Sequence, residues 1–292
     1  MKKIGVKICI LFAALFCLFS VIGCDDFNEE HIYIGGGDNN GNNNNGNNNN
    51  GNNNNGNNNN GNNNGGGVAD TESGKDTTIN GIACILVKAG KFTMGVDDYW
   101  NYTTHQVTLT QDYWIGKYEV TQAQYRAVTG NNPSYFSGKD NNPVESVTWT
   151  QANAFAQAVG GRLLTEAEWE FAARGGNKSQ GYIYSGSNTI GDVAWYYANS
   201  NYETKQVGLK QPNELGIYDM SGNVWEWCSD WYSDYSSGAV TDPIGPSSGS
   251  SKILRGGDWG SGEQICRVAY RDYLNPSYSS DGLGFRVAFP RN

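Results

Sequence analysis

Three stretches in the middle of the chain carry the signals that begin and end an α-helix. In each, a threonine is followed three residues later by a glutamine or glutamate, which is the spacing of a capping box, and glycine follows the apolar positions. The sequence therefore predicts three successive helices. They open at Thr121 with Gln124, at Thr148 with Gln151 and at Thr165 with Glu168, and they stop at Gly130, Gly160-Gly161 and Gly175-Gly176.

The chain ahead of these helices predicts short β-strands. Residues 82–92 form a largely apolar run, and residues 106–110 alternate apolar and polar positions with a period of two. After Gly176 the helical pattern does not return, and glycine, asparagine, serine, tyrosine and tryptophan dominate to the end. This second half must take its order from turns and buried aromatic rings.

One aromatic stretch, residues 215–231, is a candidate centre of the fold. It reads LGIYDMSGNVWEWCSDW, and its three tryptophans follow a tight turn at Ser221-Gly222-Asn223. Because a helix would scatter the rings and an exposed strand would leave them in water, the pattern predicts a hairpin-like turn held in the core. The rings belong to Trp225, Trp227 and Trp231.

Composition narrows the class of protein. The 292 residues carry a formal charge of −9, so there is no basic surplus to neutralise the phosphates of a nucleic acid. The chain has 39 glycines, 18 tyrosines and 9 tryptophans, and only 17% of its residues are charged. These values favour a loop-rich aromatic globule over a helical bundle.

Residues 1–23 have the pattern of an export signal, with lysines ahead of an apolar run too short for a stable membrane span. The segment ends Val-Ile-Gly-Cys24, which resembles a bacterial lipobox, so Cys24 is expected to be lipidated and to become the mature N-terminus. The acidic pair that follows Cys24 resembles the sorting signals of surface-exposed lipoproteins. We therefore expect a lipid anchor in the cell envelope, at the outer membrane surface. The alternative is an uncleaved anchor helix.

Residues 24–79 are predicted to be a flexible tether, followed by one folded domain at 80–292. Between Gly35 and Gly67 the tether is almost pure asparagine and glycine, which offer no apolar side chain to offset the entropy lost on ordering. An asparagine-rich aggregation segment is the alternative, against which the regularly spaced glycines weigh.

Several motifs in the folded region occur together and in order. They are KYEVT at 117–121, RLLTEAEWE at 162–170, LGIYDMSGNVWEW at 215–227, Arg255-Gly256-Gly257 and Gly284-Phe285-Arg286. This set resembles the formylglycine-generating enzymes, or sulfatase-modifying factors, from about Gly81 to the C-terminus. The resemblance implies an α+β, C-type-lectin-like fold with little regular secondary structure, but the fold does not settle the activity.

The chemistry of the resembled enzymes depends on two cysteines that bind copper after the Gly-Gly pair, because soft thiolates suit Cu(I). Counting forward from the glycines puts Ser261 at the first position, and counting back from the motif at 267–271 puts Glu263 at the second. We therefore expect no copper and no thiol oxidation of this type.

A calcium ion is predicted at the tryptophan turn. Carboxylates and backbone carbonyls in an irregular loop are ligands that calcium selects, and two acids bracket this turn. The alternative is that both acids only solvate its rim. The family resemblance implies a structural calcium site, and a second family site has no clear counterpart here. The implied ligands are the side chains of Asp219 and Glu226 and the carbonyls of Gly222 and Val224.

The remaining cysteines predict one disulfide bond. Cleavage and lipidation leave Cys84, Cys228 and Cys266 in an oxidising setting, where pairing is the usual outcome. Cys228 follows the tryptophan turn and Cys266 begins the next predicted strand. We therefore predict a Cys228–Cys266 disulfide, with Cys84 buried as a thiol.

The sequence gives little support for other kinds of catalytic site. The folded region has a single histidine, His105, which is predicted to be a satisfied strand residue and not a catalytic base. The glutamates at 166, 168 and 170 are predicted to lie on a helix surface or cap, and a glycosidase-type carboxylate pair is the alternative.

The last forty residues hold a frame of arginine, glycine and apolar residues filled with tyrosine, serine, asparagine and aspartate. Such residues are typical of adaptable binding surfaces, because tyrosine offers a large contact area at low rotamer entropy. The pattern is similar to the variable proteins of diversity-generating retroelements. Ordinary loop residues of a tyrosine-rich domain are the alternative, and Glu263 and Gln264 do not fit randomised asparagine codons. The predicted ligand-binding residues are Asp258, Trp259, Ser261, Tyr270, Asp272, Tyr273, Asn275 and Tyr278.

Three function classes compete on the sequence. The leading hypothesis is a tethered, non-catalytic binding module for a protein or glycan ligand. The second is an oxidase of the formylglycine-generating type acting on a cysteine substrate. The third is a structural component of a surface assembly.

Overall fold

The computed structural model describes residues 72–97 and 103–291. The predicted export signal, Cys24 and nearly all of the predicted tether lie outside the described residues. The strands are β1 (Asp76–Ile79), β2 (Ile82–Val87), β3 (Gly90–Met94), β4 (His105–Leu109), β5 (Tyr113–Gly116), β6 (Arg162–Leu163), β7 (Trp225–Trp231), β8 (Val240–Thr241), β9 (Lys252–Arg255), β10 (Arg271–Leu274), β11 (Leu283–Gly284) and β12 (Val287–Pro290). The helices are α1 (Gln122–Thr129), α2 (Trp149–Ala158), α3 (Glu166–Ala173) and α4 (Ile190–Val193), with a 3₁₀ turn at Gly176–Lys178.

All three predicted capping boxes form. In α1, α2 and α3 the N-cap threonine side chain accepts a hydrogen bond from the backbone N–H three residues on, and the Gln or Glu at that position accepts one from the N-cap N–H. Two groups that the first turn leaves without helical partners are thereby satisfied. Gly130, with a φ of 74°, ends α1 in the left-handed conformation predicted for it.

The first sheet has the order β1-β2-β5-β12-β6. Because β1 pairs along its whole length with β2, the folded domain begins before Asn80, and the predicted tether boundary at residue 79 is too late. The predicted strand at 82–92 is two strands, since the chain turns between β2 and β3, where Ala89 N donates to the Asp112 carboxylate at 2.8 Å. Strand β12 lies inside this sheet, between β5 and the edge strand β6.

The second sheet, β10-β9-β7-β11, carries the tryptophan stretch. Strand β7 is antiparallel to β9 and parallel to β11, so the residues before the Ser221–Asn223 turn do not pair back onto it. Gly222 instead makes an isolated parallel bridge with Trp195. The hairpin-like turn predicted from the sequence is therefore wrong, although Trp227 is buried as expected. The third sheet has the order β3-β4-β8.

The core is apolar but contains fully buried charged pairs. Trp169 and Trp227 are its largest side chains, and the guanidinium groups of Arg255 and Arg286 are buried beside them. Arg255 pairs with Glu170, and Arg286 pairs with Glu226 at 2.6 Å. Each of these two buried guanidinium groups thus has a carboxylate partner, which offsets the cost of its desolvation.

None of the helices in the described part of the chain has the length and apolar character needed to cross a bilayer. The mixture of short strands and helices with long irregular connections agrees with the predicted α+β fold.

Candidate ligand-binding surface

The tryptophan turn is fixed by close backbone packing. Gly222 has a φ of 78°, and a Cβ atom there would collide with the Trp195 carbonyl, so only glycine fits. The neighbouring Asn223 also has a positive φ, of 66°, and its amide donates to the Glu119 carboxylate at 2.6 Å. The Asn223 carbonyl accepts from the backbone N–H of Trp259 at 2.9 Å. The turn thereby positions the loop that carries Trp259.

Of the four predicted calcium ligands, the two carboxylates have different surroundings. Asp219 is buried at the turn; its Oδ2 accepts from Gly208 N at 2.7 Å, and its Oδ1 has no hydrogen-bond partner. Glu226 is fully engaged, because both of its oxygens accept from Arg286, and Oε2 also accepts from the Trp169 indole at 2.7 Å. Within the described residues no group of three or more His, Cys, Asp and Glu side chains is arranged to hold a metal ion.

Several acidic side chains crowd this turn. Burial raises the pKa of the Asp219 carboxyl to about 6. Burial, followed by the nearby charges of Asp219 and Glu226, holds the pKa of Glu119 well above its usual range. All three acids lie near the Arg286 guanidinium, and the Lys210 charge also acts on Asp219. Asp219 Oδ1 is left without a hydrogen-bond partner, whereas Glu226 is already paired with Arg286.

The two positions that hold copper ligands in the resembled enzymes carry other chemistry here. The Ser261 hydroxyl is buried; it donates to Asp258 Oδ1 at 2.6 Å and accepts from Asp258 N at 3.0 Å. Glu263 is exposed. Burial raises the pKa of Asp258, although the hydrogen bond from Ser261 acts in the opposite direction. A contact between Ser261 and Asp258 therefore holds this loop together.

The predicted Cys228–Cys266 disulfide is not formed. Both cysteines, like Cys84, are buried free thiols. Cys228 packs in the core cluster with Trp169, whereas Cys266 packs in a separate cluster against α4. The residues around Cys266 form turns and not the strand that the prediction assumed. Burial raises the pKa of Cys84 to about 12 and that of the other two thiols as well.

Trp259 is the centre of a patch of aromatic rings. Its indole donates to the Asp281 carbonyl at 3.0 Å, and the Phe136 ring meets it edge-on with centroids 5.5 Å apart. Tyr135, which is 73% exposed, packs in turn against Phe136. The loop that carries this pair is anchored by Glu145, whose carboxylate accepts from the backbone N–H groups of both rings' residues at 2.9 Å.

Two further tyrosines are tied to the loop that carries Trp259 through a backbone hydrogen bond. The Tyr197 N–H donates to the Ser261 carbonyl at 3.0 Å, and the Tyr197 and Tyr202 rings meet edge-on with centroids 5.6 Å apart. Both tyrosines are more than half exposed. On the other side, Trp225 N donates to the Gly282 carbonyl, next to the Asp281 carbonyl that Trp259 uses. We call the following residues the aromatic surface: Tyr135, Phe136, Tyr197, Tyr202, Trp225, Asp258, Trp259, Tyr270 and Asp281.

Strand β10 separates the predicted binding residues onto two faces. The ring of Tyr270 lies against Trp225 at 6.1 Å, and the Asp272 charge acts on Tyr270. Tyr273 instead packs against Tyr232, with ring centroids 3.8 Å apart, on the face of β10 that also carries Arg271. Tyr273 is therefore not part of the aromatic surface, because successive residues of a strand point to opposite sides and Tyr273 shares its side with Arg271.

The other predicted binding residues have different surroundings. Asn275 and Tyr278 are exposed in a loop whose Pro276 carbonyl accepts from Trp149 N, which ties the loop to the start of α2. Ser261 is only 7% exposed and therefore supports the surface without forming it. Sequence reasoning missed Tyr135, Phe136, Tyr197 and Tyr202. The available signal was an aromatic pair inside each of two segments rich in asparagine and serine.

Comparison with known proteins places these features in a family. Residues 69–290 match the family described as the sulfatase-modifying factor enzyme 1-like domain. The chain is 38% identical over 193 residues to the formylglycine-generating enzyme of Streptomyces coelicolor, and this match covers 60% of each chain. It thus spans less than two thirds of that enzyme's length.

Two other similar proteins are matched over most of their length. The chain is 35% identical over 259 residues to the chaperone protein LppX of Paenibacillus barcinonensis, covering 70% of this chain and 88% of that one. The solved structure of Treponema denticola variable protein 1 superposes with a TM-score of 0.69 at 33% identity, covering 74% of this chain and 99% of that one. The family match, the shared fold and the motifs at the tryptophan turn agree, and the chain belongs to the sulfatase-modifying factor enzyme 1-like family, with a C-type-lectin-like fold.

Proposed function

We propose that this protein is a non-catalytic binding module that captures a protein or glycan ligand on the aromatic surface. The observation that carries the proposal is the loop after Gly257, where a buried serine hydroxyl is bonded to Asp258 and Glu263 is exposed. These are the residues that motif spacing predicts at the copper positions of the resembled enzymes. Cu(I) requires soft ligands, and a hydroxyl and a carboxylate are hard ones. The loop therefore lacks the donors for oxidation of a cysteine substrate.

The surface itself supports capture. Its rings are large and amphipathic, several are more than half exposed, and each is held by a ring contact or a backbone hydrogen bond. Rigid aromatic side chains next to carboxylates are typical of binding sites for proteins and sugars, because they lose little rotamer entropy on binding. Similarity to a variable protein and to a chaperone is consistent with a role in binding.

The proposal is tested by screening the full chain, in detergent, against glycan and protein arrays and then truncating one ring. Trp259→Ala is expected to weaken any specific binding by about thirtyfold or more, the effect of losing an aromatic anchor at the centre of an interface. Val128→Ala, which changes an exposed apolar residue on α1, is the matched control and should bind normally. Equal binding by the Trp259 variant would contradict the proposed surface.

Absence of oxidase activity is a separate test. The purified protein, supplied with Cu(I) and a cysteine-containing peptide in air, is expected to leave the peptide unchanged by mass spectrometry. Conversion of the cysteine to an aldehyde would overturn the non-catalytic assignment.

We also propose that calcium binds at the tryptophan turn. Asp219 and the carbonyls of Gly222 and Val224 would hold it, and bound calcium would supply positive charge beside buried carboxylates that share one arginine. A cation that binds only the folded state raises the melting temperature. Calcium added to metal-free protein should therefore raise Tm, and Asp219→Asn should abolish that increase. No shift in the parent protein would count against the site.

Anchoring at the cell envelope is the third part of the proposal, and it rests on the sequence at Cys24 and on the chaperone LppX relative. Mass spectrometry of the mature N-terminus is expected to find a diacylglycerol on Cys24, and Cys24→Ser should leave the signal segment uncleaved. Protease treatment of intact cells should release the domain if it faces outward.

A further inference from the structure

A second concave site lies away from the aromatic surface, next to the face of β10 that carries Arg271. It is a cleft of about 260 Å³ whose lining combines apolar side chains with several charged ones. Pockets for drug-sized ligands range from about 300 to 1,000 Å³, so this one suits a smaller molecule. The residues that matter for its chemistry are His105, Glu166, Asp230, Trp231, Tyr235 and Arg271.

The cleft contains a carboxylate without a dedicated cation. Asp230 is only 5% exposed, and its Oδ2 accepts from two neutral donors, Glu166 N at 3.1 Å and the Ser229 hydroxyl at 2.9 Å. The nearby cations Arg271 and Lys252 have other hydrogen-bond partners, although Asp230 acts on Lys252 and on Arg162 through charge. Arg271 makes a two-pronged pair with the Glu166 carboxylate, at 2.8 and 2.7 Å. Lys252 donates to the Ser229 carbonyl at 2.6 Å, with its ammonium between two tryptophan rings.

The same cleft contains a buried ring nitrogen without a partner. His105 is 8% exposed, and its Nδ1 makes no hydrogen bond, so it is not the satisfied strand histidine that the sequence predicts. Its ring packs on Tyr235 with centroids 4.6 Å apart, and the Tyr235 hydroxyl donates to Glu166 at 3.2 Å. A buried polar atom left without a partner is costly, which makes it a natural contact for a ligand.

We propose that this cleft binds a small organic cation through a primary ammonium group, with Asp230 and His105 Nδ1 accepting its N–H bonds. An ammonium offers three donors and one positive charge, which match a carboxylate and an open ring nitrogen. The rings of Trp231 and Tyr235 also line this space, and each already contacts a cation of the protein, Lys252 and Arg271 respectively. A metal ion fits less well, because no group of three metal-ligating side chains occurs in the described chain.

The raised pKa of Asp230 agrees with this assignment. Burial, and then the neighbouring charge of Glu166, raise the pKa of the Asp230 carboxyl to about 7. Burial thus makes the ionised form of Asp230 unfavourable, and the charge of a bound cation would offset this cost.

The test uses isothermal titration calorimetry on the full chain in detergent, with n-butylammonium as the probe and n-butanol as its uncharged counterpart. Butylammonium is expected to bind saturably at a single site, and butanol at least about tenfold more weakly, the effect of losing a charge-assisted hydrogen bond. No saturable heat with butylammonium, or equal affinity for butanol, would overturn the proposal.

Two variants locate the binding. Asp230→Asn removes the charge at constant size, and His105→Phe keeps the ring contact with Tyr235 but removes Nδ1. Each is expected to lower the affinity for butylammonium about tenfold or more, whereas Asp140→Asn, on an exposed carboxylate outside the cleft, should not change it. If Asp230→Asn does not fold, His105→Phe decides alone, and unchanged affinity in that variant would refute the site. None of these outcomes depends on the aromatic surface.

Discussion

At the scale of single residues, the role of a buried side chain depends on partners far away in the sequence. Glu226 is the clearest case, because local spacing predicts a calcium ligand whereas the structure pairs it with Arg286, 60 positions away. The buried guanidinium also donates to the carbonyls of Gly116 and Tyr218, so it joins three separate segments. Removing one member of such a pair leaves an uncompensated buried charge, which costs more than replacing both members by apolar residues.

Arg286→Met is therefore expected to destabilise the domain strongly, by about 3–5 kcal/mol, because Glu226 would remain buried without its cation. The free energy of unfolding from urea titration measures the effect. Arg126→Met, at an exposed pair with Asp140, is the control and should cost no more than about 1 kcal/mol. A loss as small as the control's would show that Glu226 can reach water or another cation.

The buried Asp230 predicts a dependence of stability on pH. Its pKa in the folded state is about 7, above the ordinary 3.8, so the folded protein holds this proton more tightly than the unfolded chain. Stability from this group is present at low pH and is lost as the pH rises from about 4 to about 7, by up to about 4 kcal/mol. Urea unfolding across this range should show the decline in the parent protein, and Asp230→Asn should flatten it. An unchanged slope in the variant would assign the decline to other groups.

At the scale of helices, strands and turns, the sequence predicts the features that depend on neighbouring residues. The three capping boxes could be predicted because each depends on residues within one helical turn, and all three form. The tryptophan turn could not be predicted in the same way, since its partners are Trp195, Gly256 and Trp259, which no local pattern indicates. The disulfide failed for a related reason, because the prediction treated the segment at Cys266 as a strand whereas it forms turns.

The capping box of α3 is expected to contribute measurably to stability. Thr165→Ala removes the hydroxyl that accepts from Glu168 N and should cost about 1 kcal/mol. Thr189 provides the control, because it stands at the N-cap of α4 but makes no side-chain capping bond, so Thr189→Ala should change stability little. Thermal unfolding of both variants makes the comparison. Equal effects would mean that the threonines act through packing and not through capping.

At the scale of the whole molecule, the predicted binding residues around β10 divide between two faces. The predicted set included Tyr270, which immediately precedes β10, and Tyr273 within it, but Tyr270 packs toward Trp225 and Tyr273 toward Tyr232. Composition indicated a tyrosine-rich surface, yet could not assign its members to faces. That assignment requires the register of β10 against β9, in which Arg271 stands opposite Arg255.

The aromatic surface and the cleft beside Arg271 share no lining residues. The two sites should therefore respond independently to substitution. Trp259→Ala is expected to weaken capture of a macromolecular ligand by about thirtyfold or more and to leave butylammonium affinity unchanged, whereas Asp230→Asn should have the reverse pattern. Because residues without shared partners give additive effects, the double variant should show both losses, each within a factor of about two of the single variants. Array binding and calorimetry on the same three proteins measure this. Loss of both activities in either single variant would mean that one site spans β10 and that the strand does not separate them.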